Sequence, residues 1–330
     1  MERIYLVSGA SGHLGSTLVN RLLEKGEKIR ALVLAGEEKF VPEGVEVYTG
    51  DVRKIETLKE FFHTDDNSEL IVLHCAGIIT IASKENPIVH EVNVEGTRNI
   101  LEMALKSKVK KMVHVASVHA IKENENGEVN TEPEEFCPDQ LGDQYARSKA
   151  EAVNLCIEYA KKGLDVSYVM PSGIFGPGDV RKNNHTVRSI NAMFKGLIPI
   201  GIEGGFDFVD VRDAAEGIIL CSEKGRKGDG YILSGHYIKT IDLVNGANIL
   251  CGRKETSLQV SYKFVRFFAP FIEKVFLFFG NKKPLVTPYS IDILNTNGHF
   301  SHEKATRELG YQPREVMDTL RDMKEELKIV

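Results

Sequence analysis

The chain has 330 residues, enough for about two structural units, and with 42% hydrophobic and 27% charged residues it can build a large core, which excludes extended disorder. Its formal net charge of -5 lacks the basic surplus of a general nucleic-acid binder. The five cysteines, Cys75, Cys137, Cys156, Cys221 and Cys251, are odd in number, widely spaced and without a Cys-x-x-Cys pair, which fits reduced thiols in a cytoplasmic protein and argues against zinc.

The first apolar run, Arg3-Ile4-Tyr5-Leu6-Val7, leaves no room for a secretion signal on this reading. Ile4–Ser8 reads as a buried strand, and Ser16–Glu24 as a helix with Leu18, Val19, Leu22 and Leu23 on one side, stopped by Gly26. Strands follow at Ile29–Leu34 and Val45–Tyr48, a helix at Ile55–Phe62 and a strand at Leu70–Cys75. A long helix over Val92–Ser107, a strand at Lys111–Ala116, a helix over Tyr145–Lys162 and a strand at Val166–Pro171 complete the alternation. Repeated β-α units with near-continuous apolar strands predict an α/β fold: a doubly wound, Rossmann-type parallel sheet covered on both faces.

After Pro171 the pattern breaks. Gly173–Asp179 reads as a loop, followed by helices at Asp213–Ser222, Ile241–Leu250 and His302–Leu309 and a strand at Tyr231–Leu233. The expected division is a nucleotide-binding domain over 1–171, with a return segment near 209–222, and a smaller mixed α/β substrate lid over 172–330.

Gly9-Ala10-Ser11-Gly12-His13-Leu14-Gly15 lies between the first strand and the first helix. Such a turn lets backbone approach a pyrophosphate, and the helix N-terminus offers unpaired N–H groups and a positive dipole end. The acidic residue that bonds an adenosine ribose belongs at the end of the second strand, but Val33-Leu34-Ala35-Gly36 stands there. Absence of a carboxylate removes a repulsion against a 2′-phosphate and tilts the expectation toward NADP(H) over NAD(H), with Leu34 beside the adenosine.

Tyr145-Ala146-Arg147-Ser148-Lys149 places a phenol and an ammonium one helical turn apart. A positive charge nearby favours phenolate and is expected to bring the tyrosine within reach of acid-base work. Ser117 ends the fifth strand, at the edge where parallel sheets place ligands, and its hydroxyl can polarise a carbonyl.

Taken in order, these residues resemble the extended short-chain dehydrogenase/reductase family, of the NAD(P)-dependent epimerase/dehydratase type. The resemblance is carried by Gly9-x-x-Gly12-x-x-Gly15, Gly50-Asp51-Val52, His74-Cys75-Ala76-Gly77, Asn93–Asn99, Ser117, Tyr145-x-x-x-Lys149, Pro171–Asp179 and Phe208–Asp213. It implies that Asp51 and Val52 contact adenine and that Cys75, Ala76 and Gly77 run along the cofactor. It further implies that Pro171, Ser172 and Ile174 border the nicotinamide, with Tyr145 as acid/base, Lys149 on the ribose and Ser117 on the substrate oxygen. Asp210 and Arg212 are expected to tie the two halves together, and Asn93 is left open between site and helix start. Helices over 92–107 and 145–162 commonly form a dimer contact in that family, so a homodimer is expected.

Ser172-Gly173-Ile174-Phe175-Gly176-Pro177, with Phe300–Ala305 and Leu309–Pro313, is similar to dihydroflavonol-reductase-like and 3β-hydroxysteroid-dehydrogenase-like members. Met170 and Ala116 depart from common Arg and Ser. The expected activity is hydride transfer between a nicotinamide and a carbonyl or secondary alcohol of a small hydrophobic molecule; the second reading is a nucleotide-sugar epimerase or dehydratase holding NAD tightly. Phe264, Phe267, Phe268, Phe271, Phe276, Phe278 and Phe279 suggest an aromatic wall for a flat substrate, or simply core. The same stretch carries too many charges, and Pro270, to span a membrane.

Overall fold

The computed structural model describes residues 2–64, 68–80, 85–124, 127–278 and 288–328, apart from the side chains of 270, 272–278 and 289. In chain order the first half runs β1 (Arg3–Ser8), α1 (His13–Glu24), β2 (Lys28–Val33), β3 (Glu46–Thr49), α2 (Lys59–Phe62), β4 (Glu69–His74), α3 (Pro87–His90), α4 (Gly96–Lys106), β5 (Lys111–Val115), α5 (Gln144–Lys161) and β6 (Val166–Pro171). The second half adds β7 (Gly173–Phe175), α6 (His185–Phe194), β8 (Gly201–Ile202), β9 (Gly205–Asp210), α7 (Val211–Lys224), β10 (Gly230–Leu233), β11 (His236–Lys239), α8 (Thr240–Leu250), β12 (Gln259–Val260), α9 (Tyr262–Phe278), α10 (Pro288–Ile293), α11 (Glu303–Leu309) and α12 (Val316–Leu327).

Seven strands form one sheet in the order β10-β6-β5-β4-β1-β2-β3, and every pairing in it is parallel. The inner strands are mostly apolar because both faces of the sheet are covered there, whereas the edge strand β3 is largely exposed. Ile4 and Leu6 of β1 point into one core with Val72, Met112 and Val153, whereas Tyr5 and Val7 point into the other with Leu18, Leu22 and Ile218. The helix α1 packs with α7 on one side, and α4 with α5 on the other. The order reverses between β1 and β4, and at such a switch point the loops diverge and leave a ligand crevice at the strands' carboxyl ends.

The strand β10, from the second half, completes this sheet beside β6, so the chain's return runs past 209–222 to Leu233. The predicted loop at 173–179 contains the short strand β7, which pairs in parallel with β9, itself antiparallel to β11. Only a partner more than thirty residues away makes that stretch extended, which its Gly content concealed. The helices α6, α8 and α12 pack around Phe175, Leu243 and Leu320 into a third core.

Candidate active site

The Gly-rich turn is built by close backbone contacts. Gly9 has φ +69°, where L side chains are strained, and a Cβ on it would lie 2.7 Å from the Ala76 nitrogen. A Cβ on Gly15 would lie 2.2 Å from the Gly9 carbonyl oxygen. The N-terminus of α1 is therefore pressed onto the turn, and its first-turn amides, which have no partner within the helix, could hold an anion there. Leu14 packs toward the core beneath it. His13 is held from the second half: its Nε2 lies 2.9 Å from the Pro177 carbonyl, and its Nδ1 lies 3.0 Å from the Asn184 amide nitrogen.

The floor is Cys75-Ala76-Gly77, just past β4. His74 is buried, with Nδ1 2.6 Å from Ser8 Oγ and Nε2 3.0 Å from Thr97 Oγ1, and burial lowers its pKa to about 3, so it is neutral. Burial pushes the Cys75 thiol up to about 12, so it is a packing group. Asn93, in a π turn over Glu91–Glu95, accepts from the Ile78 amide at 2.8 Å and donates to the Ile78 carbonyl and Ser148 Oγ, both at 3.0 Å. It thus ties the backbone just past the floor to α5.

Asp143 caps α5 by accepting from the Ala146 amide at 2.9 Å, and Tyr145 and Lys149 emerge on the buried face. Tyr145, Lys149 and Ser117 are each 6% exposed. The Lys149 ammonium lies 6.0 Å from the Tyr145 ring centroid and donates to the Val115 carbonyl at 2.9 Å. A Cβ on Gly77 would lie 3.4 Å from Lys149 Nζ, so the ammonium reaches the floor. Ser117 Oγ accepts from the His119 amide at 3.2 Å, and its hydroxyl acts to lower the pKa of the Tyr145 phenol.

The electrostatics correct one expectation. Burial raises the Tyr145 pKa to about 12, the Ser117 hydrogen bond opposing it. Burial likewise lowers Lys149 to about 8. Desolvation is the largest cause at both groups, which lie in the same low-dielectric pocket where each charged form is disfavoured, and the Asp143 charge adds to it at the phenol.

The predicted aromatic wall is also corrected. Phe264, Phe267, Phe268 and Phe271 face outward from α9, at 60, 78, 41 and 66% exposure, while Tyr262 and Arg266 turn inward to Asp292. Phe276 and Phe278 have no described side chains, and Phe279 lies outside the described residues. The rings beside the tyrosine come from elsewhere. His119 meets the Tyr145 ring edge-on at 5.9 Å and stacks on Phe206 at 5.6 Å, and Phe206 in turn packs against Phe208 and Phe300. Sequence reading missed these because three separate segments supply them.

Toward the other end, Asp51 pairs with Arg53 at 2.6 Å and Val52 is buried under Gly96, whose Cβ would lie 2.6 Å from Val52 Cγ2. Leu34 is half exposed. A carboxylate missed in sequence stands close by: Glu37 accepts from Ser11 Oγ at 2.5 Å. It lies three residues past Leu34, brought back by a turn in which the Glu37 amide donates to the Leu34 carbonyl at 3.0 Å. The stretch Val33–Gly36 itself carries no acid, as read, and this carboxylate comes from one residue beyond it. Pro171 and Ser172 are buried at the end of β6, and Ile174 of β7 half-covers the same edge. Burial raises the nearby Asp207 to about 7 while its Oδ1 accepts from the Gly235 amide at 2.8 Å. Asp210 caps α7 and accepts from Thr319 at 2.7 Å, Arg212 pairs with Asp322 at 2.7 Å and Arg314 with Asp213 at 2.7 Å, so this cluster ties α7 to the C-terminal helix α12.

A switch-point crevice with a Gly-lined phosphate cradle at one end and a buried phenol, ammonium and hydroxyl at the other defines a dinucleotide-binding enzyme. Residues 5–234 match the NAD dependent epimerase/dehydratase family, and the chain belongs to it. It is an NAD(P)-dependent dehydrogenase or reductase of the extended short-chain type. The chain is 30% identical over 311 residues to "Sterol demethylase protein B" of Methylococcus capsulatus, covering 93% of each chain. It is 25% identical over 324 residues to "3-beta-hydroxysteroid dehydrogenase" of Mycolicibacterium neoaurum, covering 93% of this chain and 86% of that one. The crystal structure of gox2253 superposes with a TM-score of 0.83 at 29% identity, over 98% of both chains. No helix among the described residues is long and apolar enough to cross a membrane.

Proposed function

We propose that the protein interconverts a carbonyl and a secondary alcohol on a hydrophobic, ring-containing small molecule of sterol-like shape, with Tyr145 as general acid/base. The observation that carries this is the meeting of Tyr145, Ser117 and Lys149, all nearly buried, at the edge of a crevice whose other end is a phosphate cradle. A bound nicotinamide supplies or accepts the hydride at the substrate carbon. Ser117 holds the substrate oxygen by a hydrogen bond and polarises it. Tyr145 gives that oxygen its proton on reduction and removes it on oxidation. Lys149 lies between the phenol and Gly77, where it is placed to hold the nicotinamide ribose and to carry the charge that phenolate formation needs. Gly9, Ser11, Gly12, His13, Leu14 and Gly15 hold the pyrophosphate, and Leu34, Asp51 and Val52 flank the adenosine. Cys75, Ala76, Gly77, Pro171, Ser172 and Ile174 border the remainder of the cofactor. The substrate class is supported by the ring cluster of His119, Phe206 and Phe300 beside the phenol and by relatives named for sterols and steroids.

The test is NAD(P)H consumption with a panel of cyclic ketones, 3-ketosteroids and UDP- or dTDP-sugars. Turnover of the ketones, lost by at least about 100-fold in Tyr145→Phe while cofactor affinity stays within about twofold, is the expected result. Turnover restricted to the sugar nucleotides, or an active Phe variant, refutes it. The division at residue 171, with a lid after it, is proposed with this chemistry. We also propose a cytoplasmic homodimer. Half-buried Val92, Leu105, Leu141 and Ile157 lie along α4, α5 and their flanks, and all five cysteines are free. Sedimentation at monomer mass overturns the dimer.

A further inference from the structure

Four rings of α9 face solvent: Phe264, Phe267, Phe268 and Phe271. Successive helical residues turn by about 100°, which puts all four in one sector about 100° wide. They touch one another, with the Phe268 ring centre 4.9 Å from that of Phe264 and 5.1 Å from that of Phe267. The opposite side of the helix is the docked one. Ala269 is buried there, the Tyr262 hydroxyl donates to Asp292 Oδ1 at 2.8 Å, and Arg266 Nε donates to the same oxygen at 2.6 Å. Glu203 accepts from the Tyr262 amide at 3.2 Å and fixes the start of the helix. Turning the rings inward would break all of these contacts, so the fold holds the aromatic sector outward.

We infer that α9 lays this sector on the surface of an anionic phospholipid bilayer, with the rings at the headgroup boundary and Lys263 among the headgroups. A phenylalanine side chain offers about 200 Å², so the exposed fractions leave roughly 500 Å² of adjoining aromatic surface. Monomers rarely expose more than a few hundred Å² in one patch, so a face of this size marks a contact. A stable protein–protein interface takes about 800 Å² from each partner, so the sector is too small to hold a second copy by itself. An amphipathic helix lying in the plane of a bilayer needs no such area on a partner, only an apolar side flanked by cations. The charges fit that occupant. Between Tyr262 and Phe271 the sequence has Lys263 and Arg266 and no carboxylate. Arg266 is matched by Asp292, and exposed Lys263, at the edge of the ring sector, is left as surplus positive charge toward anionic headgroups.

The placement connects to the apolar end of the crevice. Leu294, just past α10, accepts from the Gly205 amide at 3.0 Å, next to Phe206 of the ring cluster beside the phenol. A substrate that partitions into lipid would meet the protein on this side. That link rests on the function proposed above, whereas the docking does not.

Flotation of the full chain with vesicles tests this, using phosphatidylcholine alone and a two-to-one mixture of phosphatidylcholine and phosphatidylglycerol. The full chain is expected to bind the mixed vesicles at least about tenfold more tightly than a variant carrying Phe264→Ser, Phe267→Ser and Phe271→Ser together. None of those three rings is buried, so the variant keeps the circular dichroism melt and the sedimentation of the full chain. Lys263→Gln loses about fivefold on the mixed vesicles and nothing on phosphatidylcholine alone. The chain has no tryptophan, so Phe267→Trp supplies a single fluorophore whose emission shifts to the blue as the ring leaves water for the mixed vesicles. Absence of flotation by the full chain, equal binding by the serine variant, or tryptophan emission unmoved by vesicles overturns the proposal. So does a full chain whose oligomer the serine substitutions break into monomers, because a second copy then covers the face.

Discussion

Replacing Lys149 with methionine exposes the cost of burying its charge. The side chain is 6% exposed, and burial lowers its pKa from 10.5 to about 8. At 1.36 kcal/mol per pH unit that is about 3 kcal/mol of strain borne by the charged form. Below pH 8 the lysine is protonated whether the chain is folded or not, so the native protein carries the whole penalty. Between pH 8 and 10.5 the native lysine loses its proton while the unfolded one keeps it, so stability rises with pH and the penalty fades. The groups packed around it do not mimic this. His74 and His114 are held neutral by burial, and Cys75 and Tyr145 are pushed up to about 12, with Cys156 pushed up as well, which gives a slope of the opposite sign in both proteins. Urea unfolding of cofactor-free protein at pH 7, 8, 9 and 10, followed by circular dichroism, therefore finds Lys149→Met gaining most over the natural chain at pH 7. That advantage shrinks by about 2 to 3 kcal/mol toward pH 10. The lost hydrogen bond to the Val115 carbonyl shifts the whole curve and leaves its slope alone. A difference constant within about 0.5 kcal/mol across the range refutes the argument that the site buries a strained ammonium.

Gly15→Ala places a methyl 2.2 Å from the Gly9 carbonyl oxygen, so the turn must open; a loss of roughly 1 to 3 kcal/mol and of nucleotide binding is expected, read by thermal shift with and without NADH. Gly26→Ala, at an unobstructed left-handed turn with φ +75°, should cost only roughly 1 to 2 kcal/mol and leave NADH affinity unchanged by the same measurement. Asn93→Ala strands the Ile78 amide and carbonyl; thermal melts should show a loss of about 2 kcal/mol or more, with KM for cofactor rising more than kcat falls, because the floor loosens while Tyr145 stays in place.

The alternation of strand and helix was legible up to Pro171 because the inner strands there are buried on both faces and the long helices α1, α4 and α5 each have an apolar side. Past that point the signal fails for an identifiable reason. The strands β7 and β9 are extended because they pair with each other across more than thirty residues, and the Gly-rich run at 173–178 reads locally as a loop. The outward Phe residues of α9 show the same limit from the other side: composition counts the rings, while the inward turn of Tyr262 and Arg266 toward Asp292 decides which way they face.

At the site, sequence reading reaches candidates that one element positions and misses groups on which several segments converge. Tyr145 and Lys149 are one helical turn apart on α5, and Ser117 lies two residues past β5, so spacing alone brings them forward as candidates. Spacing alone does not carry the desolvation that raises the phenol's pKa, since pairing is visible in a sequence and burial is not. The ring cluster around the phenol draws on positions 119, 206 and 300, and the polar cluster beside the Gly-rich turn on 11, 37 and 181, so neither has a motif. Glu37 makes the point most sharply. A search for an acid at the end of β2 stops at Gly36 and finds none, yet the turn from Leu34 delivers a carboxylate to the hydroxyl of Ser11 from one residue farther on. What the fold specifies is where a charge sits in the crevice, and more than one sequence position can deliver it there.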